Sequence, residues 1–184
     1  MLDKKRPKYL TFWAFILGYL FHSQQNMKLY NAQEYQPECE KYFRNYQRRI
    51  QKALPLARIE HIGSSAIPNA ISKGDLDIYV EVTQEQFESS ILALKRLGFI
   101  EQTETLRTDE LCMLISKHDN VALQVVKKDS VFEFFLIFRD QLIRNPELVQ
   151  RYNALKIACK GLKPETYRQY KSAFIEQILQ QYSA

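Results

Sequence analysis

Ile59-Glu60-His61-Ile62-Gly63-Ser64-Ser65-Ala66-Ile67-Pro68 is followed, with ten residues between Ser64 and Asp75, by Asp75-Leu76-Asp77-Ile78-Tyr79-Val80. Two carboxylates at i and i+2 in a β-prone run project from the same side of one strand. Their Cβ atoms then lie roughly 7 Å apart, twice the rise per residue. Like charges held that close repel unless one is protonated or a cation lies between them. A hard dication such as Mg²⁺ or Mn²⁺ takes oxygen ligands and leaves room for phosphate oxygens, which makes it the simplest resolution. Gly63 lets the backbone approach an anion closely, and Ser64 and Ser65 add N–H and hydroxyl donors. The two segments read together as a metal–nucleotide site on a strand–turn–strand unit.

Outward from that unit, the pattern is that of one α/β domain ending in helices. Gln33 to Leu54 carries Tyr35, Cys39, Tyr42, Phe43, Tyr46, Ile50 and Leu54 near a 3.6-residue period, with the regular helix expected to start around Pro37. Arg58 to Ile62 and Asp75 to Val82 read as strands joined by Ala66 to Ser72. Thr83 with Gln86 forms an expected capping box ahead of the stripe Phe87, Ile91, Leu94 and Leu97, and Gly98 closes that helix. Phe99–Thr103, Glu110–Lys117 and Val121–Lys127 are further strands, the last two joined by a turn at His118-Asp119-Asn120. Ser130 with Glu133 caps a helix, Asn145-Pro146 starts the next, and Pro164 to Tyr182 is the last. The expected class is therefore α/β: a mixed sheet flanked by helices, with a C-terminal helical segment.

Composition fits a single globular unit: 184 residues, 46% hydrophobic and 26% charged. The net charge of +5 is unevenly spread, with +3 of it in residues 1–26. The remainder holds no concentrated basic tract, so nucleic acid is a possible but not favoured partner. Cys39, Cys112 and Cys159 are isolated and odd in number, which argues against a disulfide framework or a structural zinc site and suits a reducing cytoplasm. Cys159, at helical spacing from Leu155, reads as a small core residue. Tyr9 to Phe21 is a 13-residue apolar run behind a basic stretch, short of the roughly 20 residues a membrane span needs. A membrane-associating helix, an inefficient export signal and an extension outside the functional unit are the readings of residues 1–26; the last is favoured, with the unit beginning at Met27 and running to residue 184.

The hydrophobic–Gly–Ser, ten residues, Asp–hydrophobic–Asp–hydrophobic pattern resembles the signature of the polymerase-β-like nucleotidyltransferase superfamily. Its context, with Ile59 to Pro68, Lys73 and Asp77, then Phe138-Arg139-Asp140, Pro146, Tyr152 and Leu155-Lys156, resembles the GrpB family from about Met27 to Leu179. The resemblance implies that Gly63, Ser64 and Ser65 hold the β- and γ-phosphates of a nucleoside triphosphate. It implies that Asp75 and Asp77 bind the metal and serve as the catalytic carboxylates. Lys73, Arg139 and Lys156 are the further nucleotide-binding candidates, and His61 and Gln124 would support the site from behind.

The chain departs from the family pattern in places. Asn69-Ala70 stands where Gly-Leu is expected, so Asn69 must take any left-handed conformation. Gln124 stands where the family tends to have histidine, and glutamine takes no proton at neutral pH. Glu110 and Asp129 are the remaining candidates for a third carboxylate. Each residue also has a plainer reading: the aspartate pair as a solvated strand face, Lys73 as an ion-pair partner, and His61 as a satisfied buried histidine. Arg139-Asp140 reads as an ion pair tying a helix to the sheet, and the phenylalanines at 132, 134, 135 and 138 read as core. The implied activity is Mg-dependent transfer of a nucleoside monophosphate to an unidentified hydroxyl acceptor. A catalytically weak nucleotide-binding module and an antitoxin-like interaction protein are the alternatives.

Overall fold

The computed structural model describes residues 28–103 and 105–182, and the apolar run Tyr9–Phe21 lies outside them. Helix α1 (Ala32–Ala53) is followed by strand β1 (Arg58–Ile62), a 3-10 turn at Ser64–Ala66, and β2 (Leu76–Val82). Then come α2 (Phe87–Arg96), β3 (Phe99–Glu101), β4 (Leu111–Ser116) and β5 (Val121–Lys127). A 3-10 turn at Val131–Glu133 leads into α3 (Phe134–Arg144), α4 (Pro146–Ala158) and α5 (Pro164–Tyr182). The sheet order is β1-β2-β5-β4-β3, with β2 and β5 parallel and the other neighbours antiparallel. This is the mixed sheet with flanking helices that the sequence pattern predicts.

Alternation along the strands sorts two cores. On one face Ile59, Ile78, Val80, Leu114, Leu123 and Val125 pack under α1 (Tyr35, Cys39, Tyr46, Ile50) and α2 (Phe87, Ile91, Leu94). On the other, Ile62, Tyr79, Leu111 and Val126 pack with Phe132, Phe134, Leu136, Ile175 and Leu179. Burial of such side chains stabilises by about 1.5–3 kcal/mol each. A third cluster joins the 67–70 loop to α3, α4 and α5, with Tyr152 and Phe174 stacked at 5.3 Å between centroids. All three cysteines are free and buried.

Strands β2, β3 and β4 are shorter than expected by one or two residues at an end, and two helix starts differ from the sequence expectation. Helix α1 starts at Ala32 rather than near Pro37, because the Glu34 carboxylate accepts from the Asn31 N–H at 2.6 Å and caps the end ahead of the proline. Thr83 and Gln86 form a turn, with the Gln86 N–H bonded to the Thr83 carbonyl, and α2 begins only at Phe87. Among the described residues no helix is long and apolar enough to cross a membrane.

Candidate active site

Residues 62–64 leave the end of β1 and turn back against β2, where Ile62 and Asp77 are register partners. Gly63 has φ +73°, and a Cβ there would collide with the Asp77 carboxylate oxygen Oδ2. Only glycine suits this bend, for backbone and steric reasons together. Helix α1 holds the turn from behind: Tyr35 Oη donates to the carbonyls of Ser64 (3.1 Å) and Ala70 (2.8 Å). Gln36 Nε2 donates to the Ile67 carbonyl at 2.7 Å. From α4, Asn153 accepts from the Ile71 N–H (3.0 Å) and donates to the Asn69 carbonyl (2.8 Å). Asn69 takes the left-handed conformation expected of it, with φ 61°.

The turn forms one wall of a cleft enclosing about 800 Å³ of space, open solvent at its mouth included. Gly63, Ser64, Lys73, Asp75, Asp77, Gln124 and Lys156 all line it. Asp75 stands immediately before β2 rather than within it, as the sequence reading had it, yet it faces the same cleft as Asp77. Ser72 Oγ donates to Asp75 at 3.0 Å, and Lys73 Nζ lies 3.3 Å from its other oxygen. Burial pushes the Asp77 carboxyl up to about 7; the Asp75 charge adds to this, while Lys171 and Lys73 oppose it. The Lys156 ammonium is 2% exposed and sits 4.0 Å over the Tyr152 ring. It donates to Ser64 Oγ at 3.2 Å and to the Ile71 carbonyl. Burial pushes it down to about 7, helped by the Lys171 charge and opposed by Asp75.

Three sequence assignments are corrected. The Ser65 hydroxyl is not in the cleft wall and bonds His61 Nε2 at 3.0 Å, since Ser64–Ala66 is a 3-10 turn in which successive side chains point about 120° apart. Arg139 does not line the cleft. Its fork is spent on Glu60 (3.0 Å), Asp140 (2.8 Å) and the His61 carbonyl (2.9 Å), so it ties α3 to β1 as the ion-pair reading had it. Phe134, Phe135 and Phe138 are cleft wall as well as core. The His61 ring stacks on Phe43 and its Nδ1 lies 3.4 Å from Glu40, while burial lowers its pKa.

Glu110 is bonded to Lys127 at 2.8 Å, five residues along β5 from the strand partner of Asp77, which places it roughly 16 Å away. Asp129 lies further along the chain beyond that end. Neither lines the cleft. Gln124, 3% exposed, is on the strand beside Asp77 and faces the same space. Lys171 and Tyr167 of α5 also line the cleft and carry no sequence signal, because only the docking of α5 aims them there.

Among the described residues no group of three or more His, Cys, Asp or Glu side chains could hold a metal ion. Asp75 and Asp77 supply two oxygen donors. Two carboxylates with room for water and ligand oxygens are a donor set that would fit Mg²⁺ or Mn²⁺.

The mixed sheet and this placement of turn and aspartates define a nucleotidyltransferase-like fold. It is shared with a crystal structure of the Cid1 poly(U) polymerase with MgGTP bound, at TM-score 0.50 and 15% identity, over 68% of this chain and 42% of that one. The chain belongs to the GrpB family, whose model, described as GrpB protein, matches residues 31–181. A UPF0157 protein of Vibrio cholerae is 57% identical over 157 residues, 85% of this chain and 84% of that protein. A UPF0157 protein of Deinococcus radiodurans is 33% identical over 75% of this chain and 74% of its own length. The crystal structure of GrpB from Enterococcus faecalis superposes with TM-score 0.70 at 24% identity, covering 85% of this chain and all of that one.

Proposed function

We propose that the cleft binds a nucleoside triphosphate with Mg²⁺ and transfers its nucleoside monophosphate to a hydroxyl acceptor. The observation that carries this reading is the junction of the Gly63-Ser64 turn with Asp75 and Asp77, ringed by Lys73, Lys156 and Lys171. Three lysines around two half-buried acids suit a polyanion that arrives with a dication. Gly63 and Ser64 present backbone and hydroxyl donors to the terminal phosphates, and Lys156 supplies charge at Ser64. Asp75 and Asp77 would hold the cation, which would supply positive charge against the negative charge that develops on transfer. The acceptor oxygen bonds to the α-phosphorus, the bond from that atom to the bridging oxygen breaks, and pyrophosphate leaves. The hydroxyl proton passes to one of the two aspartates or to water.

A second reading is a nucleotide-binding module with little or no transfer. Gln124 favours it, because that side chain lines the cleft from β5, the strand next to that of Asp77, and cannot accept the acceptor's proton. Loss of a general base costs about 10²–10⁴-fold in rate. Thermal shift with Mg²⁺ and each triphosphate tests binding, and pyrophosphate release with a pool of hydroxyl acceptors tests transfer. Binding that survives Asp77→Ala intact sinks both readings at their central residue.

A further inference from the structure

We infer that Arg139 is a positioning residue for the phosphate-gripping turn, acting through the last residues of β1 and never on the nucleotide itself. This deepens the proposed function, since the turn it sets is the one assigned to the triphosphate. The guanidinium reaches across 78 residues of sequence to the His61 carbonyl at 2.9 Å, two residues ahead of Gly63. It meets the Glu60 carboxylate at 3.0 Å, while its Nε holds Asp140, the next residue on its own helix, at 2.8 Å. Glu60 is in turn held by Arg58 at 3.1 Å, so the edge strand is fastened to α3 through a chain of four charges.

The opposite face of β1 is fastened separately. His61 bonds Ser65 within the turn at 3.0 Å and lies 3.4 Å from Glu40 of α1. The strand end is thus gripped from both sides immediately before the bend. The bend has little slack, because Gly63 is already at a position where an added Cβ would strike Asp77. Arg139 is 12% exposed, and a planar fork satisfying two carboxylates and a carbonyl has no equivalent in lysine, whose ammonium is a single point. A small displacement of β1 would move the turn donors relative to Asp77, and positioned donors lose effect with sub-ångström shifts.

Hydrogen exchange of the peptide over residues 62–67 is compared in the native protein, Arg139→Lys and Arg139→Met, with the β5 peptide 121–127 as reference. The Ala66 and Ile67 amides close the turn on the carbonyls of Gly63 and Ser64, so they report its integrity. Arg139→Met is expected to speed exchange at 62–67 by about tenfold with β5 unchanged, and Arg139→Lys to fall between. In parallel the thermal shift with MgATP is expected to shrink in the same order. A shift lost while exchange at 62–67 stays native overturns the inference, because Arg139 would then touch the ligand. Exchange that quickens equally in β5 also overturns it, leaving only a general stabilising role. If the native protein shows no shift with any triphosphate, the nucleotide reading fails, and the exchange contrast still decides the role of Arg139. Should Arg139→Met not fold, the same contrast is read on Arg139→Lys and on Glu60→Gln, where an unchanged turn overturns the inference.

Discussion

At Asp77, burial and a neighbouring carboxylate both oppose ionisation, and the pH dependence of stability follows in sign. Its folded pKa of about 7 lies above the reference 3.8, so the folded protein retains a proton that the unfolded chain has released. Its stabilisation is fully present below about pH 4 and is lost as pH rises through about 7. Lys156 runs the other way, from 10.5 unfolded to about 7 folded: its contribution is present above about 10.5 and lost as pH falls through about 7. The ligand-free cleft is therefore costliest near neutrality. Asp77→Asn should gain on the native protein between pH 4 and 7, and Lys156→Met between pH 10 and 7. Each gain should be on the order of 4 kcal/mol, read from denaturant midpoints across that range. A flat difference for Asp77→Asn would mean that its carboxyl ionises normally. Gly63→Ala meets both a left-handed φ and the Asp77 carboxylate. It should cost roughly 2–3 kcal/mol and remove triphosphate binding, measured by unfolding and by thermal shift.

The loop from Ile67 to Ser72 decides, at the scale of elements, how turn and acids meet. It makes no strand of its own, and its polar backbone groups are taken by side chains of α1 and α4. Asn153→Ala leaves the buried-side Ile71 N–H without its acceptor and frees the Asn69 carbonyl. We expect a loss of about 1–3 kcal/mol, with triphosphate binding weakened before the fold is lost, as seen by comparing ligand titrations with urea midpoints. Element identities were largely legible, because a 3.6-residue stripe such as Phe87-Ile91-Leu94 and a β-branched run such as Val121–Lys127 express burial that one face of one element decides. Their exact starts were less so. Asn31 with Glu34 set the start of α1 ahead of Pro37, and the Thr83–Gln86 pattern closed a turn instead of opening a helix.

For the whole molecule, the expectation is a single ligand-linked stability change. At about 100 times its Kd, MgATP should stabilise the protein by roughly 2.7 kcal/mol, which raises the Tm by several degrees for a chain of this size. Triphosphate without the dication should raise it far less, because the lysines alone would leave Asp75 and Asp77 facing new negative charge. Differential scanning fluorimetry with and without chelator measures both. Equal shifts with and without the metal would remove the aspartates from the ligand's surroundings.

Residues near one another in the chain announced most of the candidate site. Gly63, Ser64, Asp75 and Asp77 sit on one strand–turn–strand unit, where a glycine bend and the entry into β2 settle direction locally. Assembly alone decided the rest. Arg139 faces β1 instead of the cleft, Ser65 turns to His61, and Lys171 and Tyr167 join the wall, each according to how a distant helix docks on the sheet. A side chain's type and its period are properties of the chain, whereas its partner depends on which surfaces meet, and that is fixed only when apolar faces far apart in sequence are buried together.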